Sequence, residues 1–150
     1  MTNRRDAIRM SDREVSDFLD AQKSLQVGTI GPDGSVHLST LWFAVLDGRI
    51  VFETYTKSQK IKNLERDDRI TVLLEDGHVY ENLRGVMIKG RADLVGEPER
   101  VHQLALEVLK RNQPEIPVSV LDEVAEQMAE KRTAVIVEPE RIVSWDHTKL

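Results

Sequence analysis

The chain has 150 residues, and 21 Lys plus Arg against 26 Asp plus Glu leave a formal charge of −5. That length suits one domain over residues 1–150 with its own core; 0 Cys excludes disulfides, thiolate metal sites and cysteine nucleophiles; and the acidic balance argues against a nucleic-acid partner. No run of about 20 apolar residues is present for a membrane span, and the charged residues after Met1 do not lead into a secretory apolar stretch, so the expected location is cytoplasmic.

Residues 1–10 are polar and are expected to fray. Ser11 and Glu14 have the spacing of a capping box, and Val15, Phe18 and Leu19 then share one helical face. The period changes to two at residues 25–30, a strand closed by the turn sequence Gly31-Pro32-Asp33-Gly34. Residues 35–46 read as a second strand, Asp47-Gly48 as a hairpin turn and residues 49–54 as a third strand, together an antiparallel meander. Residues 57–66 predict a helix with Ile61 and Leu64 inward, and residues 69–75 a strand. Residues 84–95 predict a long strand with Val86, Ile88, Ala92 and Leu94 on one face. Pro98 opens a helix carrying Val101, Leu104, Ala105, Val108 and Leu109 inward, and Leu121, Val124, Ala125 and Met128 repeat the pattern. Residues 133–137 and 141–145 read as strands interrupted at Pro139. About six strands with peripheral helices predict a mostly β protein, a small antiparallel barrel.

Much chemistry is missing from the sequence. His37, His78, His102 and His147 lack metal-ligand spacing, so no metal is expected, and no dinucleotide fingerprint, nucleophile elbow or paired-carboxylate site is legible. The informative stretch joins a strand to a helix: Thr54-Tyr55-Thr56-Lys57-Ser58-Gln59-Lys60. Thr56 with Gln59 fits a capping box, which sets Lys57 and Ser58 in the first turn. Lysines at the positive end of a helix dipole are unfavourable unless an anion sits there, and free N–H groups, hydroxyls and Lys side chains suit a phosphate. The competing reading is a solvated cationic helix end paired with Glu65, Asp67 and Asp68. Trp42 and Phe43 are neighbours on a strand, so one ring should enter the core and the other a pocket or interface.

Beyond these features, the chain resembles the pyridoxamine-phosphate-oxidase-like split β-barrel superfamily, and most closely its actinobacterial branch of deazaflavin (F420)-dependent oxidoreductases. The resemblance lies in the order and spacing of residues 27–34, Leu41-Trp42-Phe43, residues 57–64, Asp67-Asp68-Arg69, Arg84-Gly85-Val86, Gly90-Arg91-Ala92 and residues 139–146. It implies a homodimer with two cofactor sites between the barrels. It implies phosphate contacts from Thr54, Lys57, Ser58 and Lys60, supported by Thr56, and a ring lined by Ser39, Thr40, Leu41 and Trp42. It implies approach by Arg84, from the partner chain, and by Trp145. The expected activity is hydride transfer between F420 and a small organic acceptor. An FMN-dependent oxidase or reductase, or a non-catalytic flavin or haem carrier, is the alternative. No proton donor is assigned; Tyr55 and His37 are candidates. Vitamin B6 oxidases of this superfamily carry an Arg and a Lys in the strand that here reads residues 37–42, and an Arg-x-His element after the last Trp. Neither is present in this sequence. Lys62 beyond the Lys57–Lys60 pair suits a longer anionic tail.

Overall fold

A computed structural model describes residues 3–150. Those residues form seven strands in one curled antiparallel sheet with helices at its periphery, the split-barrel architecture expected. In chain order the elements are α1 (Arg4–Ala7), α2 (Asp12–Ala21), β1 (Leu25–Ile30), β2 (Val36–Leu41), β3 (Ala44–Leu46), β4 (Arg49–Tyr55), α3 (Gln59–Arg66), β5 (Arg69–Asp76), β6 (Arg84–Val95), α4 (Pro98–Asn112), α5 (Val118–Ala129) and β7 (Arg132–Asp146). Single 3-10 turns follow at Tyr80–Asn82 and His147–Lys149.

The strand order is β2-β1-β5-β6-β7-β4-β3, which corrects the expected meander. The predicted second strand divides at Trp42-Phe43: its first half pairs with β1, its second half with β4, at opposite edges of the sheet. The chain through Val36–Leu46 therefore closes the curl. Asp47 (φ 52°) and Gly48 (φ 75°) form the hairpin turn the sequence predicts, since two successive left-handed residues match the strand twist.

Leu25, Val27, Phe43, Phe52, Val72, Val86 and Val135 fill the interior, and Phe18 and Leu19 of α2 with Ile61 and Leu64 of α3 close it. On the outer side α4 lays Val101 and Leu104 over Val51 and Ala134. Strand β4 and the first part of β7 are thus covered on both faces, which explains the near-continuous burial of Ile50–Thr54 and Thr133–Val137. In α5 the buried residues are Leu121, Ala125 and Ala129, whereas Val124 is exposed. The α4–α5 contact stripe is narrower than the apolar pattern.

Two further expectations change. Residues 3–10 are not frayed: Asp146 N–H donates to Ile8 O at 2.7 Å, Met10 N–H donates to the Ser144 hydroxyl at 3.0 Å, and Met10 is buried. Residues 1 and 2 lie outside the described residues. Pro139 does not interrupt β7, because the ladder with β6 absorbs it as a register shift at Lys89/Gly90, a bulge that bends the strand.

Candidate functional site

Strand β4 ends at Tyr55 and α3 begins at Gln59, so the junction, residues 56–58, is one residue longer than predicted. The N-cap is Ser58, not Thr56: its Oγ accepts from Ile61 N–H at 3.3 Å. Thr56 instead extends the sheet, its N–H donating to Lys131 O at 2.9 Å and its hydroxyl sharing a 2.8 Å bond with the Thr133 hydroxyl. The β4–β7 ladder thus claims Thr56 before the helix can. Lys57 precedes the cap, and Lys60 occupies the first turn, where no acidic residue is present. At this helix start the N–H groups of Gln59 and Lys60 have no intrahelical acceptor, and the Ser58 O–H is free to donate. Thr54 is buried at the end of the strand.

Lys60 is half-buried, and desolvation lowers its pKa from the ordinary 10.5. Among the described residues neither Lys57 nor Lys60 forms an ion pair. The carboxylates that the competing reading required are taken: Asp67 by Arg69 at 2.7 Å, Asp68 by Arg91 at 2.8 Å, and Glu65 by Lys62 at 3.8 Å.

Strand β2 pairs with β1 at the sheet edge. His37, Ser39 and Leu41 lie across from Thr29, Val27 and Leu25, while Thr40 points outward and is exposed. Among the described residues Ser39 Oγ and His37 Nδ1 are buried without a hydrogen-bond partner. Phe43 is 0% exposed and Trp42 48%, the split between core and surface that their adjacency predicts. Thr54, Thr56, Lys57, Ser58 and Lys60 gather at the β4–α3 junction, while residues 39–42 belong to β2 and the link after it, a strand that pairs with β1 and not with β4.

Asn63, which sequence reasoning missed, holds α3 against β1. Fully buried, it donates to the Thr29 hydroxyl at 3.0 Å and accepts from Gln59 Nε2 at 2.7 Å, and Thr29 lies directly across from His37. The Arg66 guanidinium donates to Ile30 O and fixes the other end of the helix. The available signal was an amide on the same inward stripe as Ile61 and Leu64.

Arg84 and Trp145 are not brought to this junction. Arg84 lies opposite Asp146 and Trp145 opposite Gly85, whereas Thr54 pairs with Thr133 beside the other end of the β6–β7 ladder. The eleven steps of β6 from Arg84 to Val95 span about 36 Å at ~3.3 Å each. Arg84 grips Asp76 in a fork (3.0 and 2.6 Å) that raises its pKa, and its guanidinium sits 5.2 Å from the centre of the Phe18 ring. Tyr55 is exposed and carries the Arg132 guanidinium 4.2 Å from its ring centre. Among the described residues no three His, Asp or Glu side chains converge on a metal position, and no helix is long and apolar enough to cross a membrane.

The junction offers cations, N–H donors and hydroxyls, a chemistry for an anionic group, and β2 carries orphaned polar atoms close in sequence to the exposed Trp42. Against known proteins, the family described as pyridoxamine 5'-phosphate oxidase matches residues 11–146. The chain is 42% identical to the conserved hypothetical protein Rv2991 from Mycobacterium tuberculosis, with a TM-score of 0.90 over 99% of this chain and 92% of that one. It shares its fold with an F420 reductase (20% identity, TM-score 0.66, 85% and 94% covered). It also shares it with HutZ, a haem storage protein from Vibrio cholerae (15% identity, TM-score 0.69, 89% and 94% covered). No curated protein matches the chain.

Proposed function

Because this chain belongs to the pyridoxamine 5'-phosphate oxidase family, we propose that it is a homodimeric oxidoreductase that uses the deazaflavin F420 to reduce or oxidise a small organic substrate in the cytoplasm. The observation that carries the reading is Lys60, a half-buried cation in the first turn of a helix and without a counter-charge among the described residues. Burial and dipole both oppose a charge there, and a bound phosphate relieves both. The orphaned Ser39 Oγ is the second sign of fit, since buried polar atoms are normally hydrogen-bonded.

In this reading Lys57 and Lys60 neutralise the phosphate, and the Ser58 hydroxyl and the first N–H groups of α3 donate to it. Thr54 and Thr56 fix the junction through the sheet. Lys62 continues the positive line toward the acidic tail. Ser39, Thr40, Leu41 and Trp42 line the ring and shield it from water. When bound, F420 supplies the hydride-carrying chemistry, and the protein supplies position and exclusion. Arg84 of the partner subunit and Trp145 of the partner subunit complete the ring pocket, because one chain holds these residues far from its own junction. The outer face of β2-β1-β5-β6 suits the second copy: Val36 is 66% and Leu38 72% exposed, and they line an apolar depression of about 520 Å³ with Leu73 and Met87.

Two readings on the same fold compete. FMN would use the same phosphate junction. A haem carrier is favoured by the orphaned His37 Nδ1, an imidazole nitrogen that would ligate the iron. Fluorescence titration of purified protein with F420 and with FMN, alongside a haem spectrum, separates them. F420 should bind at least tenfold tighter than FMN, and Lys57→Ala with Lys60→Ala should weaken it. Equal or tighter FMN binding, or a Soret band abolished by His37→Ala, would replace the proposal with its competitor. A monomer in sedimentation at micromolar concentration would remove the interchain site.

A further inference from the structure

A separate cleft opens on the other side of the barrel. Strand β4 pairs with β7 only from Val51 opposite Ile136 onward; before Val51 the β3–β4 hairpin turns away. Past Val137 the bulge opposite Lys89/Gly90 bends β7 outward. The two strands therefore diverge, and the N-terminal segment, tied down at Ile8 and Met10, roofs the gap. The cleft has a volume of about 510 Å³, within the usual ligand range of about 300–1,000 Å³. No residue of 39–42 or 54–60 lines it.

Its floor is the barrel core itself: Ile50, Ile88 and Val137 are buried, and Val45 and Leu19 adjoin them. Its rim is cationic. Arg5, Arg9, Arg49 and Arg141 line it, against the single carboxylate of Asp12. Arg9 pairs with Asp6 at 2.7 Å and Arg49 with Glu138 at 2.8 Å, both exposed pairs of the kind worth about 0–1 kcal/mol and easily exchanged. Among the described residues Arg5 and Arg141 form no ion pair. An apolar trough ringed by forked cations recognises an apolar body ending in a carboxylate, which arginine grips with two parallel hydrogen bonds.

We propose that this cleft is a second binding site, for a small monocarboxylic acid with an aliphatic or aryl body, independent of the β4–α3 junction. Calorimetry on the intact protein tests it with 4-phenylbutyrate and octanoate, and with 4-phenylbutanol as the uncharged counterpart. At least one acid should bind, and 4-phenylbutanol should bind at least tenfold more weakly than 4-phenylbutyrate. Arg5→Gln with Arg141→Gln should weaken acid binding at least tenfold and leave the alcohol unchanged. Lys57→Ala with Lys60→Ala should leave acid binding intact. The proposal is overturned if neither acid binds, if acid and alcohol bind alike, or if the arginine variant binds as the wild type does. It is equally overturned if the lysine variant loses the acid, which would assign binding to that junction.

Discussion

Replacing Lys60 with Met separates the anion reading from an ordinary helix end, because the two states of the protein should respond with opposite signs. Met keeps the aliphatic stem of Lys60 and removes its charge. Without ligand, the variant loses an unfavourable interaction with the helix dipole of roughly 0.3–1 kcal/mol. The apo protein should therefore gain that amount, which at this chain length raises the melting midpoint by about 1–4 °C. The gain should fade with rising pH. Since burial lowers the Lys60 pKa from 10.5, the folded state binds fewer protons than the unfolded one in the window just below 10.5. Wild-type stability rises with pH through that window, and the variant lacks this rise. With ligand the sign reverses: losing a charge-assisted contact of roughly 1.5–3 kcal/mol should weaken binding about 10- to 150-fold. Thermal melts with and without F420, joined to a fluorescence titration, read both effects. An apo variant destabilised by more than about 1 kcal/mol, or unchanged affinity, would refute the reasoning.

Three further outcomes are expected. Asn63→Ala should cost about 1–3 kcal/mol in urea denaturation, because it strands the buried Thr29 hydroxyl; a loss below 0.5 kcal/mol would show that Asn63 does not hold α3 in place. Gly85→Ala should destabilise by about 1–3 kcal/mol and shift tryptophan fluorescence, since its Cβ would overlap the Trp145 indole; an unchanged spectrum would contradict the packing. Glu14, bonded to Lys149 and Ser11, has its pKa lowered from 4.5 to about 2. Its contribution is complete above 4.5 and lost as pH falls through about 2, so the gap in melting midpoint between wild type and Glu14→Gln should close over that range. A gap constant with pH would remove the linkage.

The legible part of this protein is local. The Ser11–Glu14 box, the Asp47-Gly48 turn, the inward stripe of α4 and the opposite faces of Trp42 and Phe43 all match expectation. Each follows from the fixed periods of helix and strand or from the φ preference of one or two residues. The junction was recognised as unusual for the same reason, since two lysines near a helix start break a local rule.

Interactions between distant residues were settled only by folding. The ladder with β7 removed Thr56 from the cap, Arg69 and Arg91 took the carboxylates that would have neutralised the lysines, and Asn63 found Thr29 across the core. The division of Val36–Leu46 between two sheet edges, and the distance of Arg84 and Trp145 from Thr54, belong to this second kind. The sequence by itself determined elements, faces and the charge conflict at α3, because these depend on neighbours within a few residues. Tertiary structure alone decided strand partners, ion-pair partners and the basic cleft beside β7, because those arise between residues that meet only when the sheet curls.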